Sequence, residues 1–161
     1  MIDTLKSICE QCTHLKNPQL DFIPAELSRH KEIILRDLRE LVSVASNGHE
    51  KACAMIGGCV LEAILFSFLQ VQERRVAERR GRFIFDPEQS LQNYLDIFNK
   101  WFGRDFPNLQ LLDILVDYRN LVHFNNELNS PTDECSKAAS TLLRVVDALI
   151  GELAAYGRIA R

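Results

Sequence analysis

One short segment of the chain combines side chains that could carry acid–base and phosphate chemistry. From position 117 to position 127 it reads DYRNLVHFNNE. Arg119 and His123 are four residues apart, which places them on one face of a helix, and Asn126 and Glu127 border the same patch. A histidine titrates near neutral pH and can transfer protons, while a guanidinium fork matches the oxygens of a phosphate group. The spacing therefore predicts a polar patch on an otherwise apolar helix.

A carboxylate that could pair with Arg119 is Glu62, which lies in the most apolar stretch of the chain. Residues 52–69 read ACAMIGGCVLEAILFSFL, nearly long enough to cross a bilayer. A carboxylate at the centre of a span costs about 2–3 kcal/mol. We therefore interpret the stretch as the central buried helix of a bundle, with a single membrane span as the alternative. The apolar neighbours of Glu62 predict a buried carboxylate that needs a partner, and Arg119 is the natural candidate.

Breakers and capping residues divide the chain into helices and leave no convincing strand. The short run Phe83-Ile84-Phe85 is the only β-like stretch. Capping signals are expected from Asp3, from the Asp86-Pro87-Glu88-Gln89 run and from the Ser130-Pro131-Thr132-Asp133 run, and Pro24 and Pro107 suit first turns. The expected helices cover approximately 3–15, 24–46, 49–80, 87–102, 107–128 and 131–156.

These signals predict an all-α fold: one domain over residues 1–161, built as a bundle of five or six helices. Its core is expected over 24–156, with an N-terminal helix within 1–17. Two adjacent glycines, Gly57 and Gly58, weaken a helix by about 1 kcal/mol each relative to alanine. Such a pair is tolerated where another helix crosses closely, so we expect a tight crossing there.

The Arg119-Asn120-Leu121-Val122-His123 run resembles the Arg-Asn…His signature of HEPN domains (higher eukaryotes and prokaryotes nucleotide-binding). More narrowly, it is similar to small bacterial and phage HEPN-like proteins with an Arg-Asn-Leu-Ile-His-Pro run. Those proteins also carry an earlier apolar helix with Gly and Leu-Glu, similar to residues 57–62 here. The resemblance covers roughly residues 49–128. Fewer residues separate Arg119 from His123 than in the family's catalytic pattern, and Phe124 stands where the narrower group has proline.

The resemblance implies a HEPN-like bundle that cleaves RNA without a metal ion or cofactor, as a homodimer of the toxin or defence type. The implied catalytic residues are Arg119, His123 and Asn120, with Glu62 and Asn126 in support. In that family, histidine acts on the ribose 2′-hydroxyl and the leaving oxygen, while arginine stabilises charge on the scissile phosphate. The implied partners are RNA, a second copy of the chain, and an antitoxin or another protein.

The same residues also have a structural interpretation. A buried Glu62–Arg119 pair, with His123 hydrogen-bonded beside it, would hold two core helices in register without catalysis. The chain would then be a non-catalytic helical module for interaction or dimerisation. A double-mutant cycle on Glu62 and Arg119 separates the two interpretations.

The formal net charge of –3 argues against a generally basic nucleic-acid binder, but one segment differs from the rest. Residues 71–82 carry a local charge of +3. A phosphate-contacting arm is one interpretation; a solvated helix end, favoured by the helix dipole, is the other. The candidate RNA-binding residues of this arm are Arg74, Arg75, Arg79, Arg80 and Arg82.

The five cysteines favour a reducing compartment over a disulfide scaffold. Cys9 and Cys12 form a Cys-x-x-Cys pair near His14, but a structural zinc site needs a second pair of ligands, so we interpret them as packing residues. No charged stretch followed by an apolar core opens the chain, and we expect a cytoplasmic protein with no membrane partner. The sequence contains no P-loop, Gly-x-Gly-x-x-Gly, His-Glu-x-x-His or Gly-x-Ser-x-Gly motif. Kinase, Rossmann oxidoreductase, zinc protease and serine hydrolase classes therefore have no support.

Overall fold

The computed structural model of the chain describes residues 4–77, 86–109, 113–121 and 133–159. All regular secondary structure within these ranges is helical, which confirms the predicted all-α class. A single turn of 3-10 helix, Ala25–Leu27, precedes the third α-helix. The α-helices are α1 (Leu5–Gln11), α2 (Thr13–Lys16), α3 (Ser28–Ser46), α4 (Glu50–Ala77), α5 (Leu91–Phe102), α6 (Ile114–Asn120) and α7 (Glu134–Ile159).

The apolar helix α4 lies at the centre of the fold, in contact with α3, α5, α6 and α7. Its inward-facing residues are fully buried: Val60, Leu61, Ile64, Leu65, Phe68 and Leu69. By length and composition α4 could also cross a membrane, but 61% of its most apolar window is buried inside the fold. Length and composition alone are weak evidence for a span, and the position of α4 matches the predicted central buried helix.

The two adjacent glycines of α4 lie where other helices approach most closely. A Cβ atom at Gly57 would lie 3.1 Å from Cβ of Leu142 on α7. A Cβ atom at Gly58 would lie 2.5 Å from Cγ of Arg119 on α6. The prediction of a tight crossing is confirmed, and the two glycines serve two different helices.

The first predicted helix is divided into α1 and α2, which raises the number of α-helices to seven in the described residues. Thr4, and not Asp3, caps α1, since its side chain accepts a hydrogen bond from Ser7 N at 3.2 Å. The chain leaves helical geometry at Cys12 (φ –77°, ψ 89°). Leu15 N then donates to Asp147 Oδ1 of α7 at 2.9 Å, so α7 supplies a cap that the local sequence lacks.

Two predicted helix starts are wrong. Asp86 accepts hydrogen bonds from Glu88 N and from the Gln89 side chain, which close a turn, and α5 begins only at Leu91. Pro107 also lies in a turn, and α6 begins at Ile114. The ring of Phe106 explains the second case, because it is buried against Phe98 and Tyr156, with centroids 5.4 and 5.1 Å away, and this contact holds the chain before Pro107 in the core.

An aromatic cluster around Phe68 joins α4 to α5 and α7. The Phe68 ring lies 5.1 Å from Phe102, 5.7 Å from Phe98 and 6.0 Å from Tyr156, between ring centroids. Edge-to-face and tilted aromatic contacts of this kind add about 0.5–1.5 kcal/mol each beyond area burial. Phe102 and Phe106 are therefore core residues.

Candidate functional site

Arg119 joins α6 to α4 through its guanidinium group. Its Nη2 donates a hydrogen bond to Glu62 Oε2 at 3.3 Å, and the same two atoms form an ion pair. Its Nη1 donates to Oδ1 of the neighbouring Asn120 at 3.1 Å. Three of the predicted site residues are thus brought together, and both ends of the guanidinium fork are held in a defined direction.

This approach depends on the missing side chain at Gly58. The Cγ and Cβ atoms of Arg119 lie 2.5 and 2.8 Å from the position that a Cβ atom would take there. Glycine therefore lets the arginine stem rest on the backbone of α4. Glu62 is one helical turn further along α4 on the same face, within reach of the guanidinium.

The ion pair lies at the surface, and the expectation that Glu62 is buried is wrong. Its side chain is 30% exposed, and that of Arg119 is 38% exposed. Met55 and Cys59 on the neighbouring turns of α4 are also exposed, while Arg119 of α6 covers Gly58. The apolar residues next to Glu62 in the sequence therefore do not bury its side chain. The guanidinium of Arg119 is accessible to a ligand from solvent.

Two further groups border the pair and remain neutral near pH 7. Burial raises the pKa of the Cys59 thiol; the positive charge of Arg119 lowers it by less, and Glu62 raises it further. Burial also raises the pKa of Tyr94, with a contribution from Glu62, and the Tyr94 hydroxyl donates to the carbonyl of Pro87 at 3.1 Å. The charges at the centre of the site are therefore those of Glu62 and Arg119.

The remaining predicted site residues cannot be placed. His123 and Asn126 lie outside the described residues, as do Arg79, Arg80 and Arg82 of the basic arm and the β-like run 83–85. The backbone of Arg74 and Arg75 belongs to α4, but their side chains are outside the description.

The Cys-x-x-Cys pair is part of the core. Cys9 and Cys12 are buried, and Cys9 Sγ contacts the Val42 carbonyl and the Ser46 hydroxyl at 3.9 and 3.8 Å. The His14 ring lies against the backbone of α7, where a Cβ atom at Gly151 would be 2.6 Å from its Nε2. Among the described residues, no group of His, Cys, Asp or Glu side chains is arranged to hold a metal ion.

Sequence reasoning missed a groove at the start of α4, which we call the α4 groove. It has a volume of about 790 Å³ and is lined by Gly48, His49, Glu50, Lys51, Ala52, Met55 and Cys135. Met55 is the most exposed large apolar side chain of the described residues, at 46%. The sequence did not predict that Met55 faces outward, because residues 52–69 are apolar on all sides of the helix.

No protein-family model, curated protein or solved structure matches this chain. The resemblance of the Arg119–His123 run to HEPN domains therefore rests on the motif itself.

Proposed function

We propose that the chain is a metal-independent endoribonuclease of the toxin or defence type, acting as a homodimer on RNA. The observation that supports this best is the guanidinium of Arg119, which is accessible to solvent and oriented by Glu62 and Asn120. An arginine that is both accessible and held in one direction suits a site that receives a phosphate group.

The hydrogen-bonding capacity of Arg119 fits this role. A guanidinium has five N–H donors, and the hydrogen bonds to Glu62 and Asn120 use one on Nη2 and one on Nη1. Its remaining donors can bind the oxygens of a scissile phosphate. Glu62 acts as a positioning residue, since it contacts the arginine and not the reacting atoms.

The proposed reaction needs only the residues of the motif. His123 removes the proton from a ribose 2′-hydroxyl, and the 2′-oxygen attacks the adjacent phosphorus. The bond from phosphorus to the 5′-oxygen breaks, and that oxygen takes up a proton from a histidine acting as general acid. The products are a 2′,3′-cyclic phosphate and a 5′-hydroxyl end. Arg119 stabilises the negative charge that builds up on the phosphate oxygens.

Under this proposal the second copy of the chain brings a second Arg119–His123 motif next to the first, so that one histidine is base and the other acid. The basic arm, with its five arginines, guides RNA towards the site in a chain that is otherwise acidic. A toxin-type protein also needs a partner that blocks it, an antitoxin or another protein.

The test is RNA cleavage by the purified chain in the presence of a metal chelator. We expect cleavage of single-stranded RNA to cyclic-phosphate ends, and at least a hundredfold slower cleavage by His123→Ala with the fold unchanged by circular dichroism. His14→Ala is the matched control, since it removes a histidine that lies against α7. Full activity of His123→Ala, or no cleavage of any RNA by the wild-type chain, contradicts the proposal.

One observation favours a second candidate, a non-catalytic helical module. The aliphatic part of Arg119 fills the space above Gly58, and its charge is paired with Glu62. Both contacts would hold α6 against α4 without any catalysis. In that case His123→Ala changes stability and no RNA is cut. The cleavage assay above, run beside a urea denaturation of the same variants, distinguishes the two candidates.

A further inference from the structure

The α4 groove lies on the same stripe of α4 as the Glu62–Arg119 pair. Lys51, Met55, Gly58 and Glu62 recur at helical spacing along one face, and Arg119 packs directly on Gly58. Met55 is one turn from Gly58, and its axial distance from Glu62 is about 10 Å. A strand bound at Arg119 can therefore continue into the groove.

The lining of the groove combines an apolar floor with side chains that can donate hydrogen bonds. Ala52 and the exposed Met55 form the floor, and Cys135 of α7 borders it. His49 and Lys51 add hydrogen-bond donors at the end of the groove away from Arg119, beside the carboxylate of Glu50. A methionine thioether is polarisable and packs well against aromatic rings, and donors of this kind bind phosphate oxygens.

The volume of the groove suits a nucleotide-sized ligand. Small-molecule sites usually occupy about 300–1,000 Å³, and this groove has about 790 Å³. An apolar floor of this kind can pack against the flat face of a base and makes no hydrogen bond to its edge, so it suits a base of any sequence.

We propose that the α4 groove is the subsite for a nucleotide adjacent to the scissile phosphate, with its base on Met55 and its phosphate facing Lys51 and His49. The proposal rests on the proposed ribonuclease function, and it names the substrate form as single-stranded RNA. It also explains why a large apolar side chain is exposed beside the site.

The chain offers a direct probe, because it contains two methionines, Met1 and Met55. Protein labelled with ¹³C at the methionine methyl groups gives one signal from the groove and one internal control. The ligand is a single-stranded oligonucleotide of six 2′-O-methyl nucleotides, which cannot be cleaved through its 2′-oxygen. We expect the Met55 signal to move upfield and to saturate, because a stacked base shields the methyl group, while the Met1 signal stays in place.

Substitutions then test the contribution of each side chain. Met55→Ala should weaken oligonucleotide binding roughly three- to tenfold. Ile114→Ala should not, and Ile114 is the other large apolar residue that is exposed among the described residues. Lys51→Gln should weaken binding and its salt dependence, whereas Lys100→Gln on α5 should not. With cleavable RNA, Met55→Ala should raise KM with little change in kcat, because the base is bound equally in the ground and transition states.

Each outcome separates the subsite from the proposed function. If RNA is cleaved while the Met55 signal does not move, the subsite is overturned and the ribonuclease proposal stands. If the Met55 signal moves but no RNA is cleaved, the groove binds nucleotides and the ribonuclease proposal fails. If neither occurs, both are overturned.

Discussion

At the scale of single residues, the exposure of the Glu62–Arg119 pair determines what it contributes. An ion pair with both side chains about one-third exposed is screened by water, and such pairs add about 0–1 kcal/mol to stability. A pair that holds core helices together would be buried and costly to break. The pair therefore orients the guanidinium of Arg119 and contributes little to the stability of the fold.

A double-mutant cycle measures this directly. We expect Glu62→Gln and Arg119→Gln to show a coupling of about 1 kcal/mol or less in the free energy of unfolding, decreasing as salt is added. Urea denaturation of the two single variants and the double variant gives the value. The exposed pair Asp133–Lys137, at 3.0 Å, provides a matched reference. A coupling of about 3 kcal/mol or more would show that the pair is a buried structural support.

At the scale of elements, the crossing of α4 and α6 positions the site. Arg119 reaches Glu62 only because α6 lies against the backbone of α4 at Gly58. The crossing on the other side, of Gly57 with Leu142, fixes α7 against the same turn of α4. Two neighbouring glycines thus allow two helices, α6 and α7, to pack closely on the same turn of α4.

Gly58→Ala tests this crossing. Alanine favours the helix by about 1 kcal/mol relative to glycine. However, its Cβ atom would lie 2.5 Å from Cγ, 2.8 Å from Cβ and 3.2 Å from Cα of Arg119. We expect a net loss of about 1–2 kcal/mol in the free energy of unfolding. The loss should be smaller in an Arg119→Ala background, where Cγ is absent. Stabilisation of the wild-type chain by Gly58→Ala would mean that α6 is not held against α4.

At the scale of the whole molecule, the burial of each cysteine shows which parts of the chain form the core. Cys9, Cys12 and Cys53 are buried where α1, α3 and α4 meet, while Cys59 faces solvent on α4. Burial raises the pKa of Cys12 to about 11, with a contribution from Asp147, and that of Cys53 to about 12. Because the thiolate is the reactive form, Cys12 and Cys53 are protected both by their burial and by their raised pKa values.

Thiol alkylation of the native protein should follow this pattern. At pH 8 we expect Cys59 to react first and Cys53 and Cys12 to react only when the fold opens, with all five cysteines reacting in guanidinium. Mass spectrometry of peptides after timed alkylation measures each site. Cys59→Ser identifies the fast phase, and rapid labelling of Cys53 in the folded protein would contradict the placement of α4 at the centre.

Signals within short stretches of sequence were enough for the main elements. A helix was expected over 24–46, and in α3 the apolar residues Ile34, Leu38, Leu41 and Ala45 are buried on one face. Asn47-Gly48 ends α3, and Gly48 takes the positive φ of 73° that suits glycine. Gly57 and Gly58 predicted a close helix crossing. The charge of Glu62 within an apolar stretch predicted that it pairs with Arg119. These inferences succeed because periodicity, breakers and an unpaired charge are properties of local sequence.

Only the tertiary structure decided how these elements expose or bury their residues. Glu62 is 30% exposed although α6 packs on Gly58 one turn away, and its apolar neighbours in the sequence could not indicate this exposure. The chain turns at Cys12 because Asp147, far along the sequence, caps the helix that follows. The α4 groove forms from the start of α4 and one residue of α7. The sequence by itself determined the all-α class, the long helices α3 and α4 and the pairing of Glu62 with Arg119. The tertiary structure decided the burial of side chains, several helix ends and the groove, because these depend on contacts between distant segments.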